Sequence, residues 1–102
     1  MSELRHTLAR EDGHSRLALE GEIDISNTRA LRALLGQALQ QSGGLRLDLT
    51  AVVSMDSSGI ATLIEARGNA RRDGKAFQVI AVSERVRLAL KLLCLEQMLM
   101  EP

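Results

Sequence analysis

The apolar residues of this chain repeat at two different spacings, and the spacing switches several times along the sequence. Leucines alternate with polar residues over 45–49, which is typical of a β-strand. Ahead of that segment, apolar residues recur at the three- and four-residue intervals of an amphipathic helix, at Leu31, Leu34, Leu35, Ala38 and Leu39. Regular switching between the two periods predicts an α/β domain, because helices must bury their apolar stripes against a sheet.

The first part of the chain predicts a hairpin followed by a helix. Alternating apolar residues over 4–8 and 17–23 indicate two strands. The segment 11–14 between them, with the sequence Glu-Asp-Gly-His, has residues that tolerate the positive φ of a hairpin turn. Ser26 or Asn27 is available as the N-cap of the helix that follows.

The second part predicts strands and helices in alternation. In chain order we expect a strand over 45–49 with a loop over 51–55, then a helix ending at Arg72, then a strand over 76–82. Ser83 opens the next helix, and a last short strand covers 95–100. The apolar side of that helix is formed by Val86, Ala89, Leu90 and Leu93. Parallel strands joined by helical crossovers then form a mixed sheet of four to five strands, with amphipathic helices packed on it. Residues 1–102 are interpreted as one domain, since a chain of this length supplies a single core.

Composition excludes several classes of partner. Lys plus Arg and Asp plus Glu each number 13, and Phe77 is the single aromatic residue, so neither a basic excess nor a set of stacking rings favours nucleic acid. Cys94 is the single cysteine, which rules out an intramolecular disulfide and suggests a reducing cytoplasm, with Cys94 itself expected to be a small buried apolar residue. No stretch approaches the roughly 18 apolar residues of a membrane span, so we expect a cytoplasmic protein without direct membrane insertion.

The sequence offers no recognisable catalytic, metal or cofactor motif. It contains no phosphate loop, no dinucleotide-binding glycine motif and no paired cysteines. A serine nucleophile has no evident base, because His6 and His14 are the only histidines, and both are expected to be solvated and poorly placed for a metal. The basic residues at 67, 71, 72 and 75 have helical spacing, are interleaved with Glu65 and Asp73, and are interpreted as an exposed helix face. We therefore predict a protein with no enzymatic activity, no cofactor and no metal site.

The polar segment 56–59, Asp-Ser-Ser-Gly, lies between a strand end and an amphipathic helix. Its simplest role is capping, because an Asp or Ser side chain accepts the free backbone N–H groups of the first helical turn. A serine hydroxyl at a helix N-terminus is also a place where a phosphate is tolerated, since the helix dipole favours an anion there. Asp24, at the end of an earlier strand, is either a turn residue or part of the same surface as Ser57.

Three segments resemble the STAS domain, and within that family the bacterial anti-sigma factor antagonists. They are residues 21–27 (Gly-Glu-Ile-Asp-Ile-Ser-Asn), the strand over 45–49 and residues 55–60 (Met-Asp-Ser-Ser-Gly-Ile). The resemblance runs in register over nearly the whole chain, including the entry to the last long helix at 81–83. It implies a single STAS-type domain that works by binding partners.

The resemblance also implies a phosphorylation switch. The serine that directly follows the motif Asp is the phosphate acceptor in such antagonists, and here it is Ser57. The implied partner-binding residues are Asp24, Asp56, Ser57, Ser58, Gly59 and Ile60. The implied partners are an anti-sigma factor that is also a serine protein kinase, which would bind the ATP, and a phosphatase acting on phosphorylated Ser57.

A second branch of STAS domains has a related Asp-Ser/Thr-x-Gly motif. Its members are small cytoplasmic subunits of Mla-type lipid-transport ABC importers, and their length is similar to that of this chain. The helix start over 60–65 suits that branch as well. In this alternative the partner is the ABC transporter ATPase.

Overall fold

The computed structural model describes residues 4–101, which form one mixed sheet with strand order β1-β2-β3-β4 and four helices. In chain order the elements are β1 (Leu4–Glu11), β2 (His14–Ile23), α1 (Thr28–Gln40), β3 (Gly44–Met55), α2 (Ser57–Arg72), β4 (Ala76–Val82), α3 (Glu84–Leu92) and α4 (Glu96–Met100). Strands β1 and β2 are antiparallel, whereas β2, β3 and β4 run parallel to their neighbours. The predicted α/β class and mixed sheet are confirmed.

The hairpin turn forms where the sequence predicts it. Glu11 pairs with His14, and the two residues between them, Asp12 and Gly13, have φ values of 52° and 81°. Positive φ at both central positions matches the right-handed twist of the flanking strands. The Asp-Gly pair therefore determines where the chain reverses.

Buried residues of the sheet and of all four helices form one core. The predicted α1 stripe is buried at Leu31, Leu35 and Leu39, while Leu34 is only partly buried. Alternate leucines of β2 and β3 are also buried, namely Leu17, Leu19, Leu45, Leu47 and Leu49. The helical spacing thus identifies the face of α1 that packs on the core, and the alternation identifies the face of the sheet that does so.

The predicted loop over 51–55 is wrong, because β3 continues through Met55. The register against β2 shifts between Ala18 and Glu20, so that Ala18 pairs with Asp48 but Glu20 pairs with Ala51. Before the shift the odd-numbered residues of β3 point into the core, as Leu49 does, and after it the even-numbered Val52 does. Val52 is therefore fully buried. The apolar alternation changes phase within this one strand, which is why the sequence pattern indicated that the strand ends before residue 51.

The predicted last strand over 95–100 is also wrong, since Glu96–Met100 is the helix α4. Leu95 and Leu99 are four residues apart and both pack on the core, Leu99 being fully buried, which is helical spacing. Cys94 is exposed, not buried as expected, because it forms the turn between α3 and α4 with a φ of 58°. Leu93 is likewise exposed, since α3 ends one residue before it.

Candidate functional site

The carboxyl ends of β2 and β3 lie side by side and position the two aspartates of the predicted site. Ile23 pairs with Met55, and the backbone N–H of Asp56 donates to the carbonyl oxygen of Ile23 at 3.1 Å. The residues that follow these strands, Asp24 and Asp56, are therefore neighbours. The structure thus brings Asp24 to the edge of the sheet where α2 begins, which is one of the two positions that the sequence left open.

Asp56 organises the first turn of α2. Its Oδ1 accepts hydrogen bonds from the backbone N–H groups of Ser58 and Gly59, at 3.0 and 3.1 Å, and from the Ser58 hydroxyl at 2.5 Å. These contacts satisfy backbone donors that have no partner inside the helix. The predicted capping role of the segment is confirmed, with Asp56 as the N-cap residue.

Asp24 makes a similar turn at the end of β2. Its Oδ1 accepts from the backbone N–H of Ser26 at 2.9 Å and from the Ser26 hydroxyl at 2.5 Å. Asn27 occupies the N-cap position of α1 as predicted, but its side chain does not cap that helix. Its amide group instead accepts from the Asp24 N–H at 3.0 Å and donates to the Glu22 carbonyl at 2.8 Å, which ties the loop to β2.

The two serines of the segment have different environments. The Ser58 hydroxyl is committed to Asp56, and Ser58 is only half-buried. Ser57 is the first residue of α2 and is exposed, and within residues 4–101 no hydrogen bond engages its hydroxyl. Of the two hydroxyls, that of Ser57 is the one presented to an approaching protein.

Gly59 and Ile60 lie beneath this surface. Ile60 is 6% exposed and belongs to the core, so little of its side chain is accessible to a partner. Gly59 is buried, and a Cβ at its position would lie 2.6 Å from side-chain carbons of Ile23 and Met55. The partner-binding roles of Gly59 and Ile60 stay predictions, whereas Asp24 and residues 56–58 are at least partly exposed at this surface.

Sequence reasoning missed two exposed apolar residues near the ends of β2 and β3. Ile25, directly after Asp24, is 75% exposed, and Val53, two residues before the end of β3, is 56% exposed. Ile25 continues the alternation of β2 but lies beyond the end of that strand, at Ile23, so the pattern alone indicated burial. The sequence carries no signal that Val53 is exposed, because the outward direction of its side chain depends on the register shift in β3.

Hydrogen bonds hold the pKa of Asp56 below its ordinary value of 3.8, and the bond from the Ser58 hydroxyl is the main cause. The backbone N–H groups of Gly59 and Ser58 act in the same direction, whereas partial desolvation and the negative charge of Asp24 oppose them. Asp56 is therefore a carboxylate at neutral pH. The surface around Ser57 carries negative charge from both aspartates.

Replacing Ser58 with alanine should raise the pKa of Asp56 toward 3.8, because the strongest hydrogen bond to its carboxylate is lost. The folded carboxyl has the lower pKa, so its cap stabilises the fold above pH 3.8 and loses that effect as the pH falls through the lowered value. NMR titration of the side-chain carboxyl carbons measures the shift. Asp48, whose pKa is lowered chiefly by a hydrogen bond from Thr50, is the internal control and should not move. An unchanged Asp56 titration in Ser58→Ala would contradict this assignment.

The two histidines lie on the first two strands of the described chain. His6 is exposed on β1, and His14 is half-buried at the start of β2. Among residues 4–101, no three His, Cys, Asp or Glu side chains are grouped so that they could hold a metal ion. None of the helices in this part of the chain is both long enough and apolar enough to cross a bilayer.

Comparison with known proteins shows the family and agrees with the observed fold. Residues 6–101 match a family model described as "Mlab, STAS domain". The fold is similar to that of an anti-sigma factor antagonist from Mycobacterium paratuberculosis, with a TM-score of 0.82 and 23% identity, covering 95% of this chain and 83% of that one. It is also similar to the anti-sigma factor antagonist SpoIIAA in its unphosphorylated form, with a TM-score of 0.78 and 18% identity, covering 96% and 88% of the two chains. SpoIIAA from Bacillus in its phosphorylated form gives a TM-score of 0.72 at 17% identity, covering 96% and 91%. By the match to the family model, this chain belongs to the STAS domain family.

Proposed function

We propose that this chain is an anti-sigma factor antagonist controlled by phosphorylation of Ser57. In this proposal the unphosphorylated protein captures a cytoplasmic anti-sigma factor that is also a serine kinase, and phosphate on Ser57 releases it. The observation that carries the proposal is the exposed Ser57 hydroxyl, which has no hydrogen bond within residues 4–101, while the neighbouring Ser58 hydroxyl is held by Asp56.

The charges of the site explain how one phosphate would act on binding and not on folding. A phosphoserine carries about −1.5 to −2 charges at neutral pH. At Ser57 these would lie at the N-terminus of α2, where the helix dipole stabilises an anion by roughly 0.3–1 kcal/mol. The added charge would also lie on a surface that already carries the Asp24 and Asp56 carboxylates, so the surface offered to a partner would change strongly.

The same proposal makes the chain a substrate and a binding module, not a catalyst. ATP would be bound by the kinase partner, and a phosphatase would restore the free Ser57 hydroxyl. Support comes from the structures of SpoIIAA, an antagonist of similar fold that is described in both phosphorylated and unphosphorylated forms. We expect the purified chain by itself to show no ATP hydrolysis.

A second candidate function is favoured by the description of the matching family model, which names Mlab. In that case the same surface, formed by Asp24 and residues 56–58, would bind the ATPase of an Mla-type lipid-transport importer. The exposed apolar side chain of Ile25, directly after Asp24, suits either protein partner, since it would be covered on binding.

Capture from cell extract separates the two functions. Tagged chain is incubated with the soluble fraction and with detergent-solubilised membranes of its native host, and bound proteins are quantified by mass spectrometry. An anti-sigma factor with a kinase domain, recovered from the soluble fraction, is the expected result. A transporter ATPase recovered from the membrane fraction instead would show that the sigma-regulatory proposal is wrong.

A further inference from the structure

A cavity of about 490 Å³ lies at the end of the sheet where β2, β3 and β4 begin, away from the Ser57 site at the opposite strand ends. It is lined by His14, Leu45, Arg46, Arg67, Arg71, Lys75, Ala76, Phe77, Gln78 and Glu101. The sequence pattern predicted that the basic residues of α2 form only an exposed face. The fold instead places two of them beside a third arginine, from β3.

The charge of this cavity is strongly unbalanced although the chain as a whole has no net charge. Its lining includes four cationic side chains, Arg46, Arg67, Arg71 and Lys75, and one carboxylate, Glu101. Such an excess of positive charge around a concave surface concentrates anions there.

Among residues 4–101, the three arginines form no ion pair. Four arginines elsewhere in the fold each have a carboxylate oxygen within 3.5 Å, in the pairs Arg5–Glu20, Arg16–Asp48, Arg32–Glu65 and Arg87–Glu96. Within residues 4–101, Arg46, Arg67 and Arg71 form no such pair. Lys75 differs from them, because its ammonium group donates to the backbone oxygen of Leu39 at the end of α1. The guanidinium groups are thus the donors left for a ligand.

The positions of the arginines suit an anion with several oxygens. Arg67 and Arg71 are one helical turn apart and project from the same face of α2. Arg46 approaches from the sheet, where it pairs with Gln78 of β4. Guanidinium groups bind phosphate oxygens through paired N–H donors, and the volume is within the range of small-molecule sites.

We propose that this cavity binds a small phosphate-bearing anion through Arg46, Arg67 and Arg71, independently of the Ser57 site. Leu45 and Phe77 supply an apolar wall beside the charged groups. The phosphate belongs either to a soluble phosphorylated compound or to an anionic lipid headgroup, and both present the same chemistry to the arginines.

Isothermal titration of the full chain with inorganic pyrophosphate tests the proposal. Saturable binding is expected, with about tenfold weaker affinity in Arg67→Gln and in Arg71→Gln, since each removes a charge-assisted contact. The matched control is Arg85→Gln on α3, an exposed arginine outside the cavity, which should stay within about twofold of wild type. Thermal unfolding confirms that each variant is folded before it is titrated.

Co-sedimentation with vesicles of phosphatidylglycerol, compared with phosphatidylcholine alone, identifies the source of the phosphate. Binding to the anionic vesicles that Arg71→Gln abolishes and Arg85→Gln retains would support a lipid headgroup, and pyrophosphate binding without vesicle binding would support a soluble compound. The proposal would be overturned if the wild-type chain bound neither pyrophosphate nor anionic vesicles. Equal losses of affinity in the cavity variants and in Arg85→Gln would also overturn it. Ser57→Asp should bind pyrophosphate with the affinity of wild type, because the cavity lies at the opposite end of the strands. The two proposals can therefore fail separately.

Discussion

Replacing Ser57 with aspartate should reduce capture of the anti-sigma factor at least tenfold, which corresponds to about 1.4 kcal/mol of binding free energy. The variant places a third carboxylate beside Asp24 and Asp56, on the surface proposed to meet the partner. Surface plasmon resonance with the captured kinase measures the change. Thermal unfolding should shift little, because an acidic residue in the first turn of α2 is compatible with the helix dipole.

The matched control adds the same charge elsewhere. Gln37→Glu introduces one carboxylate on an exposed position of α1, in the half of that helix far from Asp24. It should bind the partner as wild type does. Equal losses in Gln37→Glu and Ser57→Asp would mean that overall charge, and not the site, determines binding.

Alanine variants identify which serine accepts the phosphate. Ser57→Ala should capture the partner but resist phosphorylation, whereas Ser58→Ala should still be phosphorylated, because only the Ser58 hydroxyl is engaged by Asp56. Mass spectrometry after reaction with the captured kinase and ATP locates the phosphate. Phosphate on Ser58 in the wild-type protein, or full phosphorylation of Ser57→Ala, would show that the acceptor has been misassigned.

Replacing Gly59 with alanine should destabilise the domain by about 1–3 kcal/mol, the usual cost of overpacking a core. The added methyl carbon would lie 2.6 Å from Ile23 Cγ2 and 2.6 Å from Met55 Cγ, so these side chains, or the strand ends that carry them, must shift. Because Asp24 and Asp56 directly follow those residues, the same movement should also weaken partner capture. Urea unfolding followed by circular dichroism measures the change in free energy.

Gly68 provides the control within the same helix. It lies in α2, and a Cβ there has no atom within 4 Å. Gly68→Ala should therefore raise the free energy of unfolding by roughly 0.5–1 kcal/mol, because alanine has the higher helix propensity. If both variants changed stability in the same direction, close packing at Gly59 would not be the reason for its glycine.

Most of the fold could be predicted from local patterns. Strand β4 was predicted with the bounds that the structure has, and α2 was predicted to end at Arg72. The α1 stripe, the Asp12-Gly13 turn and the Ser83 cap were also found from sequence, and the Ser83 hydroxyl accepts from the N–H of Val86 at 3.3 Å. These features depend on contacts between residues close in the chain, or on which face of one element is apolar.

The errors lie where a strand meets a distant element or where a segment is too short for its period to identify it. The continuation of β3 through 51–55 depends on a register shift against β2, which leaves no period in the sequence of β3 itself. Helix α4 forms because Leu95 and Leu99 both reach the core, but in so short a segment Met98 and Met100 also fit the spacing of a strand. The exposure of Cys94 follows from the turn that joins α3 to α4.

The sequence by itself determined the α/β class and the capped start of α2, and the family resemblance pointed to Ser57. Only the tertiary structure placed Asp24 next to Asp56, showed that Asp56 engages the Ser58 hydroxyl, and showed that Ile60 is a core residue. Only the tertiary structure brought Arg46 to Arg67 and Arg71. The physical reason is that periodicity shows how each element divides its residues between core and solvent. It does not show which hydroxyl accepts or donates a hydrogen bond, or which charged side chains of different elements lie close together.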